Sequence, residues 1–246
     1  MTILFFDMET TGTNPELHGI HQISGAFVVD GNIAETFNYH VKPRKGCQCD
    51  PYAMQMAGHT YEEMMASDEY RPMKEVFDEL LEKIIRYDGG ILKDNHPDYN
   101  KRIFVGGYNI HKFDMEFLRR WFTDNGAPYG IGYYIAEAID VMLLAVPALM
   151  RWRSKMPGFT QEEIAWALGV KLDSERLHDA DYDITVCVEI YRRLVTLGLV
   201  RMLPQSVWDE MHSPQEVKEF KETMIAKRRE KKAAIQAASQ SQPNGQ

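Results

Sequence analysis

The sequence predicts an α/β domain built on a mixed sheet. Two patterns predict it. Strand-like segments follow one another up to Val41, and from Arg102 onward strand-like segments alternate with helical ones. A third observation sets the scale: 246 residues, 44% hydrophobic and 26% charged, supply the core of one large domain, or of one domain plus an appendage, without disulfide staples.

Ile3 to Glu9 is the first strand, with apolar residues on both faces, as in a strand covered from both sides. Thr10 to Pro15 breaks it. Gly19 to Asp30 is the second strand, closed by an Asp30-Gly31-Asn32 turn, and Ile33 to Val41 the third, so the three form an antiparallel meander. Arg44 to Asp68 is irregular at first and helical around Tyr61 to Met65. Arg71 to Tyr87 carries Val76, Leu80, Leu81 and Ile84 at helical spacing. Leu92 to Lys101 reads as a polar loop, Arg102 to Tyr108 as a short strand, Lys112 to Asn125 as a helix and Tyr134 to Asp140 as another strand. Helices over Val141 to Trp152, Thr160 to Leu168 and Tyr182 to Leu197 complete the domain. Trp121, Trp152 and Trp166 fall in helical patterns and are assigned to the core. Gly106-Gly107 reads as close packing at a strand end. From Ser213 a charged helix runs to Lys232, and the Ala/Gln/Ser-rich segment to Gln246 is expected to be disordered. The expected division is a domain over 1–200 and an extension over 201–246, a solvated tail or a docking segment for a protein partner.

The net charge of −8 disfavours tight non-specific binding to nucleic acid, yet suits a transient nucleic-acid enzyme whose carboxylates hold cations. Val141 to Met150, the longest apolar run, is too short for a membrane span and contains Pro147. Met1 to Phe6 meets Asp7 too soon for a signal peptide. Three cysteines cannot all pair within one chain, so a reducing, cytoplasmic setting is expected. Cys47-x-Cys49 is too isolated for a zinc site.

Three places carry chemistry. Asp7 and Glu9 are two apart in a strand and project from one face. Side by side at the end of a buried strand they repel, and a divalent cation relieves that cost; strand ends also carry acids for no such reason. Asp114 borders the apolar face of Phe117, Leu118 and Trp121, as a ligand or as a helix-start acid. Asp183 precedes Cys187 by one turn and lies on the inward face with Ile190 and Leu194, whereas Asp181 projects outward with Thr185, Val188 and Arg192. His178 reaches the same region only from a loop leading into that helix. Four inward acids and a histidine suit two-metal phosphodiester hydrolysis, with oxygen ligands for Mg²⁺ or Mn²⁺ and a neutral imidazole as base.

Asp7-Met8-Glu9-Thr10-Thr11-Gly12, Asn109 to Leu118 and His178 to Asp183 resemble the three exonuclease motifs of the DnaQ-like, DEDDh-type 3′→5′ exonucleases. That family includes replicase proofreading subunits, ribonuclease T, oligoribonuclease and Trex-type nucleases. The resemblance runs from Ile3 to Leu197, and Asp50-Pro51 through Gly58-His59-Thr60 looks like the family's loop before its first long helix. It implies a ribonuclease-H-like fold: a mixed five-stranded sheet flanked by helices, its second strand antiparallel. It implies Asp7, Glu9, Asp114 and Asp183 as ligands of two cations and His178 as general base. The Tyr-type branch would need tyrosine where Asp179 stands. By the same resemblance Thr10 and Thr11 lie near the terminal nucleotide, Asn109 and Phe113 help shape its pocket, and Met54, Met56 and His59 are candidates for base contacts.

The expected function is therefore a metal-dependent 3′→5′ exonuclease that releases nucleoside 5′-monophosphates from single-stranded DNA or from a frayed 3′ end of a duplex. An exoribonuclease with the same chemistry is the first alternative. A catalytically silent module that binds nucleic acid or a polymerase is the second, and five retained motif residues argue against it.

Overall fold

A computed structural model describes residues 1–88, 92–93, 96–97, 102–127, 130–173, 175–176 and 180–198, with scattered positions from 206 to 230. The chain divides into two units, Met1–Val200 and Arg201–Gln246. In the second unit the described positions between 214 and 230 are helical and exposed, and residues 231–246 lie outside those described.

The first unit holds a five-stranded sheet in the order β3-β2-β1-β4-β5. The strands are β1 (Thr2–Thr10), β2 (Ile20–Val29), β3 (Asn32–His40), β4 (Ile103–Gly107) and β5 (Ile135–Asp140). β1, β2 and β3 pair antiparallel, as the meander predicts, whereas β4 lies parallel to both β1 and β5. Within the expected Leu92–Lys101 loop, Leu92–Lys93 and His96–Pro97 instead pair as a short antiparallel ladder.

The helices are α1 (Pro51–Ala57), α2 (Tyr61–Ala66), α3 (Met73–Asp88), α4 (Asp114–Asp124), α5 (Val141–Leu149), α6 (Gln161–Ala167) and α7 (Ala180–Thr196). Period-two alternation splits the core between the two faces of β1. Leu4, Phe6 and Met8 pack with Val76, Phe77 and Leu80 of α3 and with Phe117, Leu118 and Trp121 of α4. Ile3 and Phe5 pack with Val141 and Ala145 of α5, Ile164 of α6, and Cys187, Ile190 and Leu194 of α7. This is the mixed five-stranded sheet flanked by helices that the resemblance implies.

Close approach at the sheet's centre explains Gly106-Gly107. A Cβ on Gly106 would lie 2.7 Å from the Phe5 ring, and one on Gly107 only 2.0 Å from Ile110 Cγ2. Pro147 lacks the amide that would continue the helical ladder, and α5 ends at Leu149 in a 3₁₀ turn, Met150–Lys155. Two core assignments are corrected. Trp121 is buried, but Trp152 is 52% and Trp166 66% exposed. Val188, assigned to the outer face of α7, is fully buried, because the helix packs over an arc wider than one stripe.

Candidate active site

β1 is hydrophobic until its carboxyl end, where Asp7 and Glu9 continue the row of Ile3 and Phe5. That row faces α7, whose first turn carries Asp183. Asp114 opens α4 on the other side of β1 and is buried at 4% exposure. Its Oδ1 accepts the Met8 N–H at 3.2 Å, which ties α4 to the strand between the two β1 acids.

Neighbouring acids perturb Asp7, Glu9 and Asp114. Asp7 is half-buried, and burial first, then Glu9 and Asp183, push its carboxyl up to about 7. Burial and then Asp7 push Asp114 up to about 7, against the relief given by backbone N–H groups. Glu9 keeps an exposed surface, yet the protein packed around it, followed by Asp114 and Asp183, raises it as well. A set of hard oxygen donors whose charges oppose one another fits Mg²⁺ or Mn²⁺, because a cation replaces repulsion with attraction. Among the described residues no three His, Cys, Asp or Glu side chains stand together as a group that could hold a metal ion.

Asp183 lies one turn before buried Cys187 and in line with buried Ile190 and Leu194. Its backbone carbonyl accepts Gln161 Nε2 at 2.8 Å, which fixes α6 to the first turn of α7. Asp181 is exposed and pairs with Arg176 at 3.2 Å. His178 falls outside the described residues.

The remaining motif residues take varied places. Thr10 Oγ1 donates to Gly12 O at 2.7 Å, and Thr11 Oγ1 donates to Gln48 O at 2.7 Å while accepting Gly19 N–H at 2.9 Å. Their hydroxyls thus build the turn after β1. Asn109 adopts a left-handed φ of 58°, and its buried Oδ1 has no hydrogen-bond partner among the described residues. Phe113 is half-buried against Phe117, with ring centres 4.9 Å apart. On α1 Met54 is half-buried and Met56 69% exposed; His59 is exposed, with its ring edge toward Tyr70.

Two features escaped the sequence reading. Asp140, at the end of β5, is buried; its Oδ1 accepts N–H groups of Asn109 (3.1 Å), Met142 (3.0 Å) and Leu143 (3.3 Å), and its Oδ2 accepts that of His111 (3.4 Å). It caps α5 and holds the loop leading to Asp114. An Asp directly before an apolar helical run is the available signal. His21 is also buried, and burial, then His40 and His59, push it down to about 4. Histidines on two strands and a loop carry no local signal.

Comparison with known proteins finds similar sequences and folds. Residues 4–94 match the family model described as Exonuclease. The chain is 30% identical over 186 residues to a PolC-type DNA polymerase III of Mycoplasmopsis pulmonis, covering 76% of this chain and 11% of the relative. It is 25% identical over 201 residues to the PolC-type enzyme of Thermotoga petrophila, covering 80% and 12%. The chain thus spans about a tenth of these relatives' length. Among solved structures, Exonuclease I of Methylocaldum szegediense superposes with a TM-score of 0.59 at 21% identity, over 79% of this chain and 40% of that one. Exonuclease I of E. coli in complex with a dA16 oligonucleotide gives 0.59 at 21%, over 80% and 42%. At such identities the likeness establishes the fold.

Proposed function

We propose that this chain, which matches the Exonuclease family model over residues 4–94, is a DnaQ-like, divalent-metal-dependent 3′→5′ exonuclease acting on single-stranded DNA. One observation carries the proposal. Asp114 and Asp183, distant in sequence from the Asp7–Glu9 pair, lie close enough to the carboxyl end of β1 to act on it: Asp183 helps raise the carboxyl groups of Asp7 and Glu9, Asp114 helps raise that of Glu9, and Asp7 in turn helps raise that of Asp114. In that reading the four acids hold two cations, Mg²⁺ or Mn²⁺. Held by these acids, such cations would supply electrostatic stabilisation to the charge that develops in phosphodiester hydrolysis. His178 takes the proton of the attacking water. The Thr10–Thr11 turn, Asn109 and Phe113 seat the terminal nucleotide, with Met56 and His59 beside its base. The orphaned Asn109 Oδ1 supports a polar ligand at that position.

The substrate assignment is supported by the oligonucleotide bound to E. coli Exonuclease I. Association with a polymerase is supported by the PolC-type relatives, and residues 201–246 are the proposed docking segment beyond a 1–200 exonuclease domain. Three free thiols, Cys47, Cys49 and Cys187, support a cytoplasmic setting. The test is chelation: EDTA should abolish hydrolysis of an oligodeoxynucleotide and added Mg²⁺ or Mn²⁺ restore it. Full turnover in excess chelator would remove the carboxylates from the chemistry.

A further inference from the structure

The 3₁₀ turn Met150–Lys155 after α5 concentrates positive charge beside an exposed aromatic ring. In a chain of net charge −8, Arg151, Arg153 and Lys155 fall within five residues, and all three are exposed. Among the described residues none of them pairs with a carboxylate. Between them stands Trp152, 52% exposed, with the Lys155 ammonium 4.9 Å from its ring centre. Met150, at 62%, adds to the same apolar exposure.

The turn is fixed from beneath. Met156 is buried in the core, and its carbonyl accepts Arg153 Nη1 at 3.1 Å. The chain then reaches the margin of the acid cluster. The Phe159 carbonyl accepts the hydroxyl of Tyr108, the residue before Asn109, and Gln161 holds the backbone of Asp183. One short segment therefore connects an aromatic, cationic surface to the loop before Asp114 and to the first turn of α7 that carries Asp183.

We propose that Arg151–Lys155 is a track for the single DNA strand on the 5′ side of the bond being cut, an inference that rests on the exonuclease reading above. A base stacks on Trp152, and the three cations face successive phosphates. Charge complementarity selects a phosphodiester strand over a neutral or acidic partner. The track gives an acidic enzyme a local hold on a polyanion that its net charge would repel.

The test uses the full chain and a length series of oligodeoxynucleotides. With Mg²⁺, Trp152→Ala should raise KM about 10-fold for a strand of ~12 nucleotides. It should leave kcat and the hydrolysis of a dinucleotide unchanged, and Trp152→Phe should recover most of the loss by keeping a stacking face. In EDTA, anisotropy of a labelled strand should report the same loss of affinity without turnover. Arg151→Ala with Arg153→Ala should flatten the dependence of log affinity on log salt by ~1.4, at ~0.7 per cation on single strands. Equal effects on short and long substrates, or wild-type affinity in Trp152→Ala, would overturn the track and leave this face to a protein partner. Absence of any hydrolysis by the wild type would refute the exonuclease reading instead, while the EDTA binding arm would still decide the track.

Discussion

Replacing Asp114 by asparagine should stabilise the metal-free protein while abolishing its activity. The carboxyl is buried and pushed from 3.8 up to about 7, chiefly by burial and by Asp7. A shift of roughly three units corresponds to at most ~4 kcal/mol against the ionised form. Asp7 shares that repulsion and is half-buried, so ~2 kcal/mol is the expected gain from removing one charge. Asparagine keeps an oxygen to accept the Met8 N–H, so the helix stays tied to β1. The sign follows from proton linkage. Between about pH 4 and pH 7 the folded protein binds a proton that the unfolded chain has released, so wild-type stability falls as pH rises through that window and levels off above it. The advantage of Asp114→Asn should be near zero at about pH 4 and full at about pH 8. For a unit of this size ~2 kcal/mol corresponds to a Tm rise of ~4–8 °C. Thermal melts by circular dichroism in EDTA at both pH values measure it. Added Mg²⁺ should then raise the wild-type Tm more than that of the variant. A lower Tm for Asp114→Asn at about pH 8, or a gain that ignores pH, would refute the reasoning and make Asp114 a helix-start acid with a structural role.

Three further outcomes follow from the same site. Asp183→Asn should nearly abolish turnover while Asp181→Asn stays within a few-fold of wild type, measured as parallel Mg²⁺ titrations; the reverse ranking would put the wrong acid in the third motif. His178→Ala should cost ~10²–10⁴ in rate and remove the rise of activity with pH through the imidazole pKa, read from a pH–rate profile. Removal of residues 213–246 should leave hydrolysis of a short oligonucleotide nearly unchanged; collapse of turnover would place that segment within the active unit.

Much of this fold was legible because buried strands and charged ends contrast sharply. Four buried apolar residues of β1, Ile3 to Phe6, precede Asp7, so both the strand and its polar end stood out. The inward face of α7 was readable because Cys187, Ile190 and Leu194 repeat at helical spacing. Periodicity, however, reports which residues share a face and not whether anything covers it, and Trp152 and Trp166 were misplaced for that reason. α1 went unread because none of its residues is buried; its signals were local, an Asp50 cap bonded to Tyr52 and Ala53 and a left-handed Gly58. Asp140 resembled any helix cap, since the link from its carboxylate to the Asn109 loop spans 31 positions. The acids of the site were found through spacing and resemblance together. Their mutual perturbation is a property of the fold, since Asp7 and Asp183 meet only across β1 and α7.

The central claim is tested most directly by the product profile of 5′-labelled single-stranded DNA and of the matching RNA, each with Mg²⁺. The account predicts a ladder of DNA shortened one nucleotide at a time from the 3′ end, with nucleoside 5′-monophosphates released and RNA degraded more slowly. Release of the labelled 5′ nucleotide first, internal cuts, or no shortening of either strand would contradict it.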